Sequence, residues 1–184
     1  MLCKKLHHAA FRCRDAAETT AFYTEVLGLK FAHAMGEDHV PSTGKYSPHV
    51  HIFFEMEDGS NIAFFECPQD PGNMKDLASP DWIQHFAFEV ENVQVLKDAK
   101  SRLEARGLTV VGPTNHDDIM LSIYFFDPSG HRLELTVRTC DPARAASFEA
   151  EAPKVLQIWN QTHDWSQRDK AFGSMAGYAR QTGP

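Results

Sequence analysis

The chain contains two similar stretches in which apolar and polar residues alternate. Residues 6–13 and 83–90 both alternate with a period of two, which predicts one β-strand in each. His8 and His85 occupy the same place in these two strands. The second stretch begins about 77 residues after the first. This period predicts a duplicated module, since solenoid repeats are much shorter.

Each predicted strand is followed by a segment with helical periodicity. The two predicted helices cover residues 15–26 and 93–106. Asp15 and Asn92 stand at the N-cap positions, where a side-chain oxygen can accept from free backbone N–H groups. Gly28 and Gly107 follow the helices, where a left-handed backbone conformation is favoured.

Three apolar segments follow each predicted helix and are interpreted as strands. They cover 29–35, 50–56 and 61–67 in the first copy, and 108–112, 119–126 and 131–138 in the second. The sequence therefore predicts an α+β fold of two βαβββ modules, module 1 at about 5–67 and module 2 at about 83–138. A segment rich in Pro, Gly and Asp, residues 68–82, connects them.

The C-terminal segment, residues 141–184, resembles neither copy. Residues 141–150 have a helical pattern, and Pro153 can begin a second helix. We therefore expect one domain over 1–140 and a helical extension over 141–184. The extension could cover the site, pack on a second subunit or be partly disordered, and the sequence leaves these alternatives open.

The composition restricts the partners and the compartment. There are 18 Lys and Arg against 25 Asp and Glu, a net charge of -7, and the chain has no basic tract. Nucleic acid and anionic lipid are therefore poor partners. No stretch reaches the ~20 apolar residues of a membrane span, and the N-terminus is too polar for a signal peptide. The four cysteines are far apart, which is typical of reduced thiols in a cytoplasmic protein.

Alternation also predicts which face of each strand contains the candidate site residues. His8 shares a face with Ala10 and Arg12, and His85 shares one with Ala87 and Glu89. Glu134 shares a polar face with Thr136, and the leucines on either side of it belong to the apolar face. Two sheets curved around a shared axis would bring His8, His85 and Glu134 together. Histidine is the commonest metal ligand, so this polar face is a candidate metal site.

Three segments resemble the vicinal oxygen chelate superfamily, which includes glyoxalase I, methylmalonyl-CoA epimerase, extradiol dioxygenases, fosfomycin-modifying transferases and bleomycin-binding proteins. They are L-H-H-A-A-F-R-C-R-D with F-Y-T-E-V-L-G-L, then Q-H-F-A-F-E-V, and then S-I-Y-F-F-D-P-S-G-H-R-L-E-L. The resemblance spans residues 5–138. It implies a curved-sheet cup around a divalent metal ion held by His8, His85 and Glu134. It also implies a small-molecule substrate and a possible homodimer.

The resemblance also implies a fourth ligand position, on the last strand of module 1. Glyoxalases and the epimerase place a carboxylate there, whereas this sequence has Ala63, with Glu66 three residues later on the opposite face. A bulge that brings Glu66 to the metal is an alternative. Two histidines and one carboxylate form the facial triad of non-haem Fe(II) oxygenases, so Fe(II) is favoured, with Mn, Ni or Zn as alternatives.

Two further residues resemble catalytic groups of extradiol dioxygenases. Tyr124 matches the tyrosine that binds the substrate oxygen, and His116 lies one place after the expected acid/base histidine. The favoured function is an extradiol-type, ring-cleaving dioxygenase for a small aromatic diol. The alternatives are a glyoxalase-like lyase or isomerase, a fosfomycin-type thiol transferase and a metal-free drug-binding protein.

Overall fold

A computed structural model of the chain describes residues 2–70 and 72–163. The first module consists of β1 (His8–Arg12), α1 (Ala16–Ala21) with a π-helical turn (Phe22–Val26), β2 (Lys30–His39), β3 (Tyr46–Glu55) and β4 (Asn61–Glu66). The second consists of β5 (His85–Glu89), α2 (Val93–Ala105), β6 (Val111–His116), β7 (Met120–Phe126) and β8 (Arg132–Arg138). The α+β class and the predicted element order are confirmed.

The strands form two four-stranded open sheets. The first sheet has the order β1-β4-β3-β2, in which β1 is parallel to β4 and the other neighbours are antiparallel. The second sheet has the equivalent order, β5-β8-β7-β6. The repeat in the sequence is therefore a repeat in topology, and the first and last strands of each module are neighbours.

The predicted caps are present at both helices. The Asp15 Oδ1 atom accepts from the Glu18 amide at 2.8 Å, and the Asn92 Oδ1 atom accepts from the Val95 amide at 3.0 Å. Gly28 and Gly107 have φ values of 76° and 83°, the left-handed region that glycine adopts without steric cost. These local signals determine where both helices begin and end.

One predicted strand begins later than expected. The sequence pattern placed it at 108–112, whereas β6 starts at Val111. The amide of Leu108 donates to the carbonyl of Leu103, which closes the end of α2. The residue after Gly107 is therefore part of the helix cap, and the chain becomes extended only afterwards.

The C-terminal extension also differs from the prediction. A single helix, α3 (Pro142–Thr162), replaces the two expected helices, and Pro153 lies inside it. Asp141 caps its N-terminus, with Oδ1 accepting from the Arg144 amide at 2.8 Å. Proline removes one backbone hydrogen bond from a helix interior, and here the helix continues past that loss. The polar end of the chain after residue 163 lies outside the described residues.

No described helix is long and apolar enough to cross a membrane. The four cysteines, Cys3, Cys13, Cys67 and Cys140, are all free.

The structure divides into two compact units, and each is described by itself. The first comprises the chain up to Phe86 together with Leu103–Thr109 and Tyr124–Glu134. The second comprises Ala87–Arg102, Val110–Ile123 and the chain from Leu135. Of the site residues that the sequence singles out, His8, His85, Tyr124 and Glu134 belong to the first unit and His116 belongs to the second.

The core of the first unit is aromatic. The Tyr23 ring is stacked on Phe54 with a centroid distance of 5.2 Å and lies 4.8 Å from Phe64, and all three residues are fully buried. The Tyr23 hydroxyl donates to the Oδ2 atom of buried Asp127 at 3.1 Å. Burial raises the pKa of the Asp127 carboxyl and raises that of Tyr23 well above its usual value. No local sequence pattern predicts this contact, because the two residues lie in different modules.

Tyr23→Phe is expected to lower the free energy of unfolding by about 1–3 kcal/mol. The substitution keeps the ring and removes the hydroxyl, so a buried oxygen of Asp127 loses its hydrogen-bond donor. Urea unfolding measures the change, and Tyr46→Phe on an exposed tyrosine is the matched control. A Tyr23→Phe protein as stable as the wild type would show that this hydrogen bond does not stabilise the core.

Candidate metal and substrate site

Strand β8 presents a buried carboxylate between two leucines. Leu133 and Leu135 are 0% and 8% exposed, and Glu134 between them is 4% exposed on the opposite face. The Glu134 Oε2 atom lies 2.9 Å from the Nε2 atom of His85, the first residue of β5. The predicted meeting of His85 and Glu134 is thus observed. Burial of a carboxylate costs free energy unless a positive partner faces it.

The contact of the other ring nitrogen of His85 determines whether the Nε2 atom has a free lone pair. The Nδ1 atom lies 3.1 Å from the carbonyl oxygen of Ile83. A carbonyl oxygen only accepts, so Nδ1 carries a proton, and a neutral His85 presents a lone pair at Nε2. That lone pair would face an oxygen of Glu134, so the pair requires either a second proton or a metal cation that both atoms would hold. A histidine N–H held by a backbone carbonyl is also the usual support of a metal-bound imidazole.

Tyr124 borders this pair. Its ring centroid lies 6.2 Å from that of His85, in an edge-on arrangement with an interplanar angle of 82°. The guanidinium carbon of Arg132 lies over the Tyr124 ring, 4.3 Å from its centroid. The structure therefore places Tyr124 beside the pair, and its catalytic role stays a prediction.

His8 is exposed at the start of β1 and packs against the first sheet. Its Nδ1 atom lies 2.8 Å from the Nδ1 atom of His7, and its ring contacts Phe53 and His51 with centroid distances of 5.3 and 5.8 Å. Within residues 2–70 and 72–163, no group of three or more His, Cys, Asp or Glu side chains is arranged to hold a metal ion. The donor types and the spacing of His85 and Glu134 fit a divalent ion, and the participation of His8 stays a prediction.

The sequence model of the Glyoxalase/Bleomycin resistance protein/Dioxygenase superfamily matches residues 5–135. The chain belongs to this superfamily. It is 28% identical over 137 residues to the uncharacterized protein YwkD of Bacillus subtilis (strain 168), covering 73% of this chain and 98% of that protein.

Solved structures with the same fold include a glyoxalase/dioxygenase from Nostoc punctiforme, with 25% identity and a TM-score of 0.52 over 73% of this chain and 91% of that one. A fosfomycin resistance protein, FosX from Listeria monocytogenes, was solved with Mn(II). It is 21% identical, with a TM-score of 0.55 over 79% of this chain and 99% of that one. This second likeness concerns the fold alone.

The position where the resemblance expects a fourth ligand carries no donor. Ala63 is fully buried and pairs with Ala10 and Phe53 in an unbroken register. Glu66 faces the opposite side of β4, where its Oε2 atom accepts from the Ala16 amide at 2.7 Å. The bulge that would turn Glu66 toward a metal is absent from the β3–β4 pairing, so that alternative is wrong. Glu66 instead stabilises the start of α1, where free N–H groups favour an anion.

Glu66→Ala is expected to lower the free energy of unfolding by about 1 kcal/mol, since it removes an acceptor at a helix N-terminus. The affinity for divalent metal is expected to stay unchanged, because the side chain faces away from Ala63. Thermal unfolding and metal titration measure the two effects, and Glu66→Gln, which keeps an acceptor oxygen, is the control. A loss of metal affinity in Glu66→Ala alone would contradict the assignment.

His51 is a residue whose burial the sequence does not show. It is 8% exposed, its ring is stacked on Phe65 at 3.6 Å, and its Nε2 atom is buried without a hydrogen-bond partner. Burial, with smaller contributions from neighbouring His8, His49 and His33, lowers the pKa of His51 to about 4. A neutral imidazole is therefore buried close to His8, on the same face of the first sheet as Ala63.

His116 ends β6 in the second unit, beside a tight turn. Neighbouring Asn115 holds this turn, because its Oδ1 atom accepts from the Asp118 amide at 2.8 Å and its Nδ2 atom donates to the Asp118 carboxylate at 2.6 Å. Asp117 and Asp118 both have positive φ values. Asn115, which stands where the resemblance expects a catalytic histidine, is thus a structural residue, and proton transfer by His116 stays a prediction.

His131 has a structural position. It is 5% exposed, and its Nε2 atom donates to the carbonyl oxygen of Arg12 at 2.7 Å. The rings of Phe11, Phe64 and Phe86 surround it at centroid distances of 5.8–5.9 Å. This histidine links β1 to the turn before β8 and is not a site residue.

Proposed function

We propose that this protein is a metal-dependent enzyme, an extradiol-type dioxygenase that cleaves the ring of a small aromatic diol with Fe(II). The apposition of His85 Nε2 and Glu134 Oε2 at 2.9 Å carries the proposal, because the lone pair and the buried carboxylate fit a cation between them. His8 is proposed as the third ligand. Because Ala63 provides no carboxylate, three protein ligands would leave three coordination positions of a six-coordinate ion open. These are enough for the two oxygens of a diol and for dioxygen.

The side chains have separate tasks in this proposal. His85 and Glu134 hold the ion, and the Ile83 carbonyl fixes the imidazole in the orientation that presents Nε2. When bound, Fe(II) supplies a Lewis acid that two adjacent oxygens of a diol can chelate. Tyr124, beside His85, orients the diol with its hydroxyl group. His116 is proposed as the group that moves a proton.

Metal content and oxygen consumption test the proposal together. Protein purified without a chelator is analysed for metals, reconstituted with Fe(II) under anaerobic conditions and then given catechol and oxygen. We expect bound iron and oxygen uptake coupled to ring cleavage, both lost in His85→Ala and retained in His33→Ala, which changes an exposed histidine. Bound Mn, Ni or Zn without oxygen uptake would replace the proposal by a lyase or a thiol transferase.

A protein that binds no divalent metal, and is unaffected in this respect by His85→Ala, would overturn the enzyme proposal and favour a metal-free binding protein. A cytoplasmic location and a homodimer stay predictions. Sedimentation of the purified chain measures the oligomeric state.

A further inference from the structure

Two cationic side chains lie over two aromatic rings of β7. Arg132 lies over Tyr124, with its guanidinium carbon 4.3 Å from the ring centroid, and the Lys75 Nζ atom lies 5.7 Å from the centroid of Phe126. Tyr124 and Phe126 are two residues apart on β7 and share one face, whereas Phe125 between them is buried on the other. This face therefore combines aromatic surface with positive charge.

Within residues 2–70 and 72–163, only one of the two cations forms an ion pair with a carboxylate. Lys75 forms an ion pair with Asp81 at 2.6 Å, and the pKa of Asp81 lies below its usual value mainly because of Lys75 and to a smaller extent because of Arg132. The ion pairs among residues 2–70 and 72–163 do not include Arg132. The Arg132 Nε atom is buried without a hydrogen-bond partner. A buried donor on a charged group is costly unless a ligand satisfies it.

The position of Arg132 relates this donor to the candidate site. Arg132 is two residues before Glu134 on β8, so both side chains lie on the same face of the strand. Arg132 also covers the ring that borders His85. A ligand that contacts Tyr124 near the His85–Glu134 pair is therefore within reach of a guanidinium group that forms no ion pair within residues 2–70 and 72–163.

We infer that Arg132 binds a carboxylate of the substrate, so that the substrate is an aromatic diol that carries an acid group. A guanidinium presents parallel N–H donors that match the two oxygens of a carboxylate. Such a substrate would lie beside Tyr124, with its diol oxygens facing the His85–Glu134 pair and its carboxylate facing Arg132. This inference rests on the proposed function for the diol, and the carboxylate part rests on Arg132 alone.

Binding of two matched probes tests the inference. The dissociation constants of 3,4-dihydroxybenzoate and catechol are measured by calorimetry on the Fe(II) protein without oxygen. We expect the acid to bind about tenfold more tightly or better than catechol, because a charge-assisted hydrogen bond contributes at least this factor. R132Q should abolish the preference, because it weakens binding of the acid much more than binding of catechol. R138Q is the matched control, since it removes an exposed arginine from the same strand.

The outcomes separate this inference from the proposed function. An acid preference that persists in R132Q, or equal binding of both probes by the wild type, would overturn the role of Arg132, whether or not catechol is cleaved. An acid preference lost in R132Q supports that role even if neither probe is cleaved when oxygen is admitted. Circular dichroism establishes that R132Q is folded. If it is not, R132M, which retains the apolar stem of the side chain, takes its place with the same expected loss of preference.

Discussion

Glu134→Ala is expected to weaken Fe(II) binding by more than about 100-fold, because even the loss of a residue that only supports a ligand costs 10- to 100-fold. The carboxylate is 4% exposed and faces His85 at 2.9 Å, and alanine supplies no oxygen donor in its place. Anaerobic titration followed by metal analysis measures the affinity. Ring cleavage is expected to disappear together with the metal.

The metal-free protein provides the necessary control. In the metal-free protein, removal of the carboxylate leaves His85 without its partner at 2.9 Å, so the free energy of unfolding is expected to fall. Urea unfolding in EDTA establishes that the variant is still folded under the conditions of the metal titration. Glu89→Ala, on the exposed end of β5, is the matched variant and should retain full metal affinity. Wild-type affinity in Glu134→Ala would exclude this residue as a ligand and would remove the main support of the proposed function.

Acid is expected to destabilise the metal-free protein between pH 6.5 and about 4, and His51 is expected to account for up to about 3 kcal/mol of this change. The sign follows from the lowered pKa. In this pH range the unfolded chain binds a proton at His51 that the folded protein does not, so stability falls as the pH falls. Below about pH 4 both states are protonated, and the contribution becomes constant.

Urea unfolding in EDTA at a series of pH values measures this effect. His51→Phe keeps an aromatic ring beside Phe65 and removes the titrating group. Its free energy of unfolding should therefore fall by up to about 3 kcal/mol less than that of the wild type between pH 6.5 and about 4. His39→Gln changes an exposed histidine that is paired with Asp38, and it is expected to shift stability by less than about 1 kcal/mol. Identical pH profiles for His51→Phe and the wild type would show that His51 does not carry the effect.

Local chemistry explains why much of this protein could be read from its sequence. Alternation along β1 and β5 predicted the strands and the places of His8 and His85, and the caps at Asp15 and Asn92 predicted where the helices begin. A regular strand also placed Glu66 opposite Ala63, as observed. Each of these features depends on the geometry of a few consecutive residues, so composition and spacing determine it.

Packing between distant segments decided the remaining features. The Tyr23–Asp127 hydrogen bond and the contact of His131 with Arg12 join residues more than 100 positions apart. The burial of His51 and the position of Arg132 over Tyr124 follow from neighbouring strands and loops. The sequence by itself therefore determined the repeated βαβββ fold and the candidate donors. Only the tertiary structure determined which of those donors lie side by side and which charged side chains form ion pairs. Both depend on contacts between distant segments, which no local pattern specifies.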